Sequence, residues 1–366
     1  MPVASDDKFA LQKKIAIILI NIIAFCFIAV WARKVLMPLV FAMLFSFVLL
    51  PLAGFLERKL KFHRVLASAL SVILLIAIGS CFVYLALTQF SGFADHLPEF
   101  RQKLLSVSSQ LQNWISQSIH ISPEKQKAYF NNTVSKVSSA ATSMVGQTVY
   151  TLTSILLFII LTVFFNFFIL MYRNRITTFL LVIFSKENNV IVNDIINNIQ
   201  HMIKGYMVGI LLEMAIVSTL CTIAFSVLGI PYAFLLGLMT GIFNVIPYVG
   251  IFSSMTISML VTLVTSGAGA KALLVVAVIV PVHLIDSNII LPFLVGSRVR
   301  VNAFITFLAI VAGGLLWGIA GMFLSIPLTA IVKIIFDRVE NLNHWGFLFG
   351  DDEKPAKKIL RRSQKK

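Results

Sequence analysis

The sequence predicts an all-α, polytopic membrane protein with broken or re-entrant helices in its C-terminal half and an amphipathic helical insert outside the membrane. Of its 366 residues, 58% are hydrophobic and only 12% are charged, whereas soluble domains carry about 25% charged residues. Several apolar runs are long enough to cross a hydrocarbon core of about 30 Å. This composition excludes most soluble enzymes and disordered proteins.

The net charge of +15 comes from 30 Lys and Arg residues against 15 Asp and Glu residues. These bases lie mainly in short loops between apolar runs and in the C-terminal tail, which is the distribution of the positive-inside rule and not that of a nucleic-acid-binding surface. The basic loop at residues 57–64 is therefore predicted to be cytoplasmic. We expect a multi-pass membrane protein with both termini cytoplasmic that contacts the lipid bilayer and binds no nucleic acid.

Four apolar runs predict the membrane helices of the N-terminal half. The first three, at residues 15–31, 35–56 and 65–90, make up an N-terminal membrane region of residues 1–90, and residues 149–172 form the fourth. The first run lacks a small-residue cleavage site and leads into another apolar run. We therefore expect a retained anchor and not a cleaved signal peptide.

Two polar stretches interrupt the membrane helices. Residues 91–148 carry apolar residues at alternating steps of three and four on both sides of Ser122-Pro123, a helix-start signal. They predict two extracytoplasmic amphipathic helices that pack on each other, on a neighbouring subunit, or on the lipid surface. Residues 173–206 predict a cytoplasmic amphipathic segment.

The C-terminal region, residues 207–336, contains two apolar runs that are too long for straight membrane helices. Residues 230–266 and 301–336 each exceed 35 residues, and a straight helix of that length would measure about 54 Å. Each run must therefore break or fold back. Residues 337–366 follow as a basic cytoplasmic tail.

Glycine and proline indicate where these runs break. Gly241 precedes Pro247 by the same interval as Gly321 precedes Pro327, and Gly250 follows the first pair. Paired Gly/Pro interruptions predict a transport site near the middle of the membrane, because unwound backbone there must be buried in protein or line a cavity. The alternative is that these glycines only permit close helix packing.

Ionisable residues in apolar runs are the candidates for transport chemistry, because they are costly at lipid depth. Asp286 is the first candidate for a proton or cation carrier, with His283 three residues before it on the same helical face and Asn288 just beyond. A second possibility for Asp286 is a water-exposed helix end at which it caps a backbone break.

Two further polar residues lie within the C-terminal apolar runs. Glu213 either takes part in transport or extends toward the cytoplasmic face to pair with Lys204. Asn244 lies beside the first predicted break, where its amide can contact a polar substrate.

Three common motifs of enzymes are missing from the sequence. It contains no H-E-x-x-H zinc helix, no G-x-S-x-G elbow and no G-x-x-x-x-G-K-[ST] phosphate loop. We therefore expect no enzymatic activity, no catalytic residues, no cofactor and no metal site. Without a phosphate loop, uphill transport must draw on an ion gradient or on a partner.

Three C-terminal segments carry a family resemblance. They are LGIPYAFLLGLMTGIFNVIPYVG at 228–250, DSNIILP at 286–292 followed by Gly296, and GGLLWGIAGMFLSIPLTAIVK at 313–333. With these residues the chain resembles the autoinducer-2 exporter family, also called PerM-type permeases. The resemblance implies a bacterial inner-membrane protein with about eight membrane segments, a homo-oligomer expected to be a pentamer, and an elevator-like movement of the C-terminal part. It also implies export of autoinducer-2, or sodium/proton antiport as in some members.

Three functional hypotheses follow. The first is a secondary transporter, driven by the proton motive force, that exports a small polar solute such as the quorum-sensing signal autoinducer-2. The second is a sodium or other cation/proton antiporter that uses Asp286 and Glu213. The third is a non-transporting envelope scaffold whose outer helices hold partners.

Overall fold

The computed structural model describes residues 3–94, 123–184, 188–247, 249–266, 269–296 and 301–350. Within these residues the secondary structure is helical, without strands. The helices are α1 (Val3–Trp31), α2 (Arg33–Arg58), α3 (Arg64–Ala94), α4 (Pro123–Ile183), α5 (Asn189–Val227), α6 (Ala233–Asn244), α7 (Val249–Ser266), α8 (Gly269–Ile285), α9 (Ala303–Arg338) and α10 (Asn343–Phe349).

Seven helices in the described part of the chain are long and apolar enough to cross a membrane, and two shorter apolar helices accompany them. The prediction of an all-α, polytopic membrane protein is therefore confirmed. Large apolar side chains on these helices are exposed in the isolated chain, as for Ile23 and Phe164. Exposed apolar surface of this kind is what contact with lipid requires.

Two helices are longer than the sequence predicts. The α4 helix runs from the second half of the predicted insert through the fourth apolar run to Ile183. The α5 helix joins the predicted cytoplasmic amphipathic segment to the next apolar run. The first amphipathic stripe of the insert, at residues 97–114, lies outside the described residues.

The chain divides into two compact units. The first unit contains Met1–Ser68, Phe158–Lys204 and Arg298–Lys366, and the second contains Ala69–Leu157 and Gly205–Ser297. The helices α3, α4 and α5 each pass from one unit to the other.

Long-range side-chain contacts hold the first unit together. The indole Nε1 of Trp317 on α9 donates a hydrogen bond of 2.9 Å to the carbonyl of Ala29 on α1. The ring of Phe41 on α2 stacks on that of Phe323 at 5.7 Å between centroids. At one end of α2, Arg173 of α4 donates a hydrogen bond of 2.6 Å to the Glu57 carboxylate.

The α9 helix contains a sharp reversal. Gly318 has φ 61° and ψ −143°, and Trp317 before it is also non-helical, so the helix is interrupted where only glycine is unstrained. The two arms then lie side by side, because the Ser325 hydroxyl donates a hydrogen bond of 2.7 Å to the carbonyl of Ala309. The predicted break in this run therefore occurs at Gly318, and Pro327 lies buried inside the second arm.

The second unit has an apolar core built from α5, α6, α7 and α8. Its buried members include Val217, Cys221, Phe225, Leu235, Leu236, Val261, Val275 and Ile279. The first predicted break is present here as well, since α6 ends at Asn244 and α7 begins at Val249.

Candidate functional site

Glu213 lies in the middle of α5 and is buried in the second unit. The residue is 5% exposed. Its Oε1 atom accepts a hydrogen bond of 2.8 Å from Nδ2 of Asn244. The predicted alternative, in which Glu213 extends to pair with Lys204, is wrong, because Glu213 points to α6 and Lys204 is exposed on α5.

Asn244 is the last residue of α6, and small residues bring this helix close to α5. A Cβ atom on Gly241 would lie 2.0 Å from the Ser218 hydroxyl oxygen and 2.5 Å from the Met214 carbonyl. Glycine is therefore needed there to let the two helices touch. This close packing places the end of α6, and so the Asn244 amide, against the middle of α5.

The turn between α6 and α7 fixes the position of Asn244. The N–H of Ile246 bonds to the carbonyl of Phe243, and the N–H of Gly250 bonds to that of Ile246. A Cβ on Gly250 would lie 1.8 Å from the Phe243 carbonyl oxygen, so α7 begins in direct contact with the end of α6. Pro247, which has no N–H to donate, lies in this turn.

Asp286 lies where α8 changes from α-helical to π-helical hydrogen bonding. The N–H of Leu291 donates to the carbonyl of Asp286, five residues earlier, in the π segment Asp286–Ile290. Pro292 follows and cannot donate to the preceding turn, which favours such a widened turn. Asp286 is 3% exposed, so the alternative of a water-exposed helix end does not hold for this chain.

The Asn244 amide joins the two acids. Its Nδ2 atom donates 2.8 Å hydrogen bonds to Glu213 Oε1 and to Asp286 Oδ2. An amide nitrogen carries two hydrogens, so both are used. We call Glu213, Asn244 and Asp286 the carboxyl–amide cluster. All three residues belong to the second unit.

The Asn244 amide does not neutralise the negative charge that the two carboxyl groups carry when they are ionised. Asn244 is neutral, and two negative charges close together in a poorly solvated site repel strongly. Asp286 Oδ1 is buried without a hydrogen-bond partner among the described residues. That oxygen is therefore open to a proton or to a small cation, either of which would reduce the repulsion.

The other predicted site residues take different positions. His283 lies one turn before Asp286, and its buried Nδ1 has no hydrogen-bond partner within the described chain. Asn288 is exposed, and its amide donates to the carbonyl of Leu284 at 2.8 Å on its own helix. Gly321 and Pro327 belong to the first unit, where Gly321 allows the two arms of α9 to approach each other.

The structure adds a polar stripe on α7 that the sequence reasoning missed. Ser254, Ser258 and Thr262 are spaced four residues apart and are each at most 1% exposed. The hydroxyl groups of Ser258 and Thr262 have no hydrogen-bond partner in the described part of the chain. The four-residue spacing is the sequence signal that could have found this stripe, since it places the three residues on one helical face.

The cluster does not resemble a transition-metal site. Within the described residues, no group of three or more His, Cys, Asp or Glu side chains is placed to hold a metal ion. The carboxylate oxygens are hard ligands, and the Asn244 amide presents its N–H donors to them, so the arrangement fits a proton or a hard cation at the carboxylates better than zinc or copper.

Comparison with known proteins gives a family match over most of the chain. The model of the family described as AI-2E family transporter matches residues 17–341. The chain is 27% identical to YueF of Bacillus subtilis strain 168 over 320 residues, covering 86% of each chain. It is 25% identical to the AI-2 transport protein TqsA of Escherichia coli K12 over 326 residues, covering 88% of this chain and 92% of TqsA. A shorter match, to YrrI of B. subtilis, is 36% identical over 141 residues. It covers 38% of this chain and 39% of YrrI.

Proposed function

Since the chain belongs to the AI-2E family of transporters, we propose that it is a secondary transporter that exports a small polar solute under the proton motive force. The observation that carries this proposal is the pair of buried carboxyls, Glu213 and Asp286, hydrogen-bonded to the one amide of Asn244. Buried acids in membrane helices are the usual elements of proton relays.

In the proposed mechanism, the carboxyl–amide cluster exchanges a proton with each side of the membrane in turn. A proton on Asp286 Oδ1, the oxygen without a hydrogen-bond partner, would lower the repulsion between the two acids. Loss of that proton would restore the repulsion and favour a different arrangement of α6 and α8. The protonation state would thus bias the conformation of the unit that holds the cluster.

The solute is proposed to bind beside the break between α6 and α7. The helical backbone is interrupted at the turn around Pro247, and interrupted membrane helices of this kind commonly form the binding sites of polar solutes. The relative TqsA is named as an AI-2 transport protein, so autoinducer-2 is the first solute to test. Gly321 and Pro327 of the α9 hairpin remain proposed components of the pathway.

The movement is proposed to be elevator-like. The three members of the cluster lie in one compact unit, so a displacement of that unit would carry the cluster without breaking its hydrogen bonds. We further propose a homo-oligomer, with a pentamer as the first form to test, in a bacterial inner membrane with both termini cytoplasmic. The basic loop between α2 and α3 supports this orientation.

Cation/proton antiport is the second candidate function. The open oxygen of Asp286 and the nearby carboxyl of Glu213 provide hard, negatively charged ligands, which an ion such as Na⁺ prefers. In this case the same cluster would bind Na⁺ and protons alternately, with no organic solute.

Transport by the purified full-length protein in proteoliposomes tests these proposals. Vesicles are loaded with autoinducer-2 or other small polar solutes, and an imposed proton gradient is applied with and without Na⁺. Solute flux that follows the proton gradient supports the exporter. Proton flux that requires Na⁺ and no organic solute supports the antiporter. Protein that is correctly assembled but moves neither would contradict both and favour the scaffold hypothesis.

A further inference from the structure

A cleft in the first unit lies between the end of α2 and the first half of α5. It has a volume of about 590 Å³, within the range of about 300–1,000 Å³ typical of small-molecule sites. Its lining includes three basic residues and one histidine, namely Arg58, Lys59, Lys204 and His201. Among the described residues, no acidic side chain lines it. We call it the basic cleft.

Nearby acids do not neutralise the basic cleft, because they are bound elsewhere. Glu57, next to Arg58, accepts a 2.6 Å hydrogen bond from Arg173. Asp194, one turn before the cleft on α5, pairs with Arg338 of α9. In the described part of the chain, no ion pair joins an acid to Arg58, Lys59 or Lys204. Their positive charge is therefore available to an anion.

The other α2 residues of the basic cleft form an apolar wall. It is formed by Phe47, Leu50, Pro51 and Phe55 of α2. Phe55 is 49% exposed, and Nζ of Lys59 lies 5.4 Å from the centre of its ring. A basic rim thus adjoins a surface on the membrane-crossing part of α2.

We propose that the basic cleft binds an anionic phospholipid, with the phosphodiester on Arg58, Lys59 and Lys204 and the start of the acyl chains on Phe47 and Leu50. Basic pockets between transmembrane helices at the cytoplasmic side commonly bind such headgroups. A soluble phosphate would use the basic rim alone and leave the apolar wall unoccupied, so the two-sided lining favours the lipid. The bound lipid would link α2 to α5.

Native mass spectrometry of the full-length protein tests the proposal. The protein is titrated in detergent with phosphatidylglycerol and, separately, with phosphatidylcholine of the same acyl chains. We expect tighter binding of phosphatidylglycerol, weakened about fivefold by Lys204→Gln, since a cation near an anionic lipid contributes about that factor. Lys204→Arg should retain the binding.

Lys61→Gln is the matched control, because it removes one positive charge from the loop beside the cleft without changing the lining. It should leave phosphatidylglycerol binding unchanged. Equal loss in Lys61→Gln and Lys204→Gln would overturn the proposal, as would equal affinity for the two lipids. Displacement of the lipid by glycerol phosphate at a similar concentration would also overturn it, since the apolar wall would then contribute nothing.

Discussion

Asn244 is the residue on which the carboxyl–amide cluster depends. Its one amide nitrogen supplies a hydrogen bond to each of two buried acids. No second donor to these two carboxyl oxygens is present among the described residues. Removing the amide therefore leaves two buried acceptors without a donor, which is more costly than losing a hydrogen bond at the surface.

Asn244→Ala is expected to lower the free energy of unfolding by about 1–3 kcal/mol, the cost of leaving a buried polar group unsatisfied. Unfolding of the purified protein in detergent, followed by tryptophan fluorescence, measures this change. Asn288→Ala is the control, because Asn288 is exposed and bonds to its own helix. It should change stability by no more than about 0.5 kcal/mol. Equal losses in the two variants would show that Asn244 has no special structural role.

At the residue scale, the sequence identified the cluster's members but not their arrangement. Acids in apolar runs are costly, which marks Glu213 and Asp286 as candidates, and each is buried as that rule implies. The hydrogen bonds from Asn244 span 31 and 42 residues, and helical periodicity says nothing about contacts at such separations. For the same reason, helical periodicity could not exclude Lys204 as the partner of Glu213.

At the scale of elements, glycine sets how closely the helices of the second unit approach. Gly241 brings α6 against α5, and Gly250 brings the start of α7 against the end of α6. Both roles agree with the alternative prediction that these glycines permit close helix packing. They also serve the site, because they hold Asn244 in position.

Gly250→Ala should destabilise the protein by about 1–3 kcal/mol, because the added Cβ would lie 1.8 Å from the Phe243 carbonyl oxygen and force a backbone shift. Gly79→Ala is the matched control within α3, where the added Cβ meets nothing within 4 Å. There alanine should stabilise the helix by about 0.5–1 kcal/mol. Thermal unfolding of both variants under the same conditions measures the difference. A Gly250→Ala protein as stable as the wild type would contradict the described packing.

The breaks in the long apolar runs were predictable from length, but their exact places were only partly so. The first lies between Asn244 and Val249, around the predicted Pro247. The second lies at Gly318, because its φ of 61° combined with a ψ of −143° is unstrained only for glycine, while a helical arm accommodates Pro327. The π-helical turn at Asp286 was not predicted, because no simple sequence period indicates such a turn.

At the scale of the whole molecule, the positive charges are proposed to set the orientation in the membrane. The loop between α2 and α3 is rich in lysine and arginine, which favours the cytoplasmic side. One crossing, α3, separates this loop from residues 91–148, so the proposed orientation predicts that those residues lie outside the cytoplasm.

Cysteine labelling of intact cells tests this orientation. In a background in which Cys26, Cys81 and Cys221 are replaced by alanine, Lys61→Cys should react with a membrane-impermeant maleimide only after permeabilisation. Ser109→Cys, in the insert, should react without it. The opposite pattern would mean that the chain is inserted the other way round.

Solute transport by Asp286→Asn in proteoliposomes tests the central claim most directly. This variant keeps the side-chain size but removes the ionisable oxygen that has no hydrogen-bond partner. We predict loss of proton-dependent flux, while Glu340→Gln, which neutralises an exposed acid, transports as the wild type does. Proton-dependent flux that persists in correctly assembled Asp286→Asn protein would contradict the assignment of the carboxyl–amide cluster as the site of proton coupling.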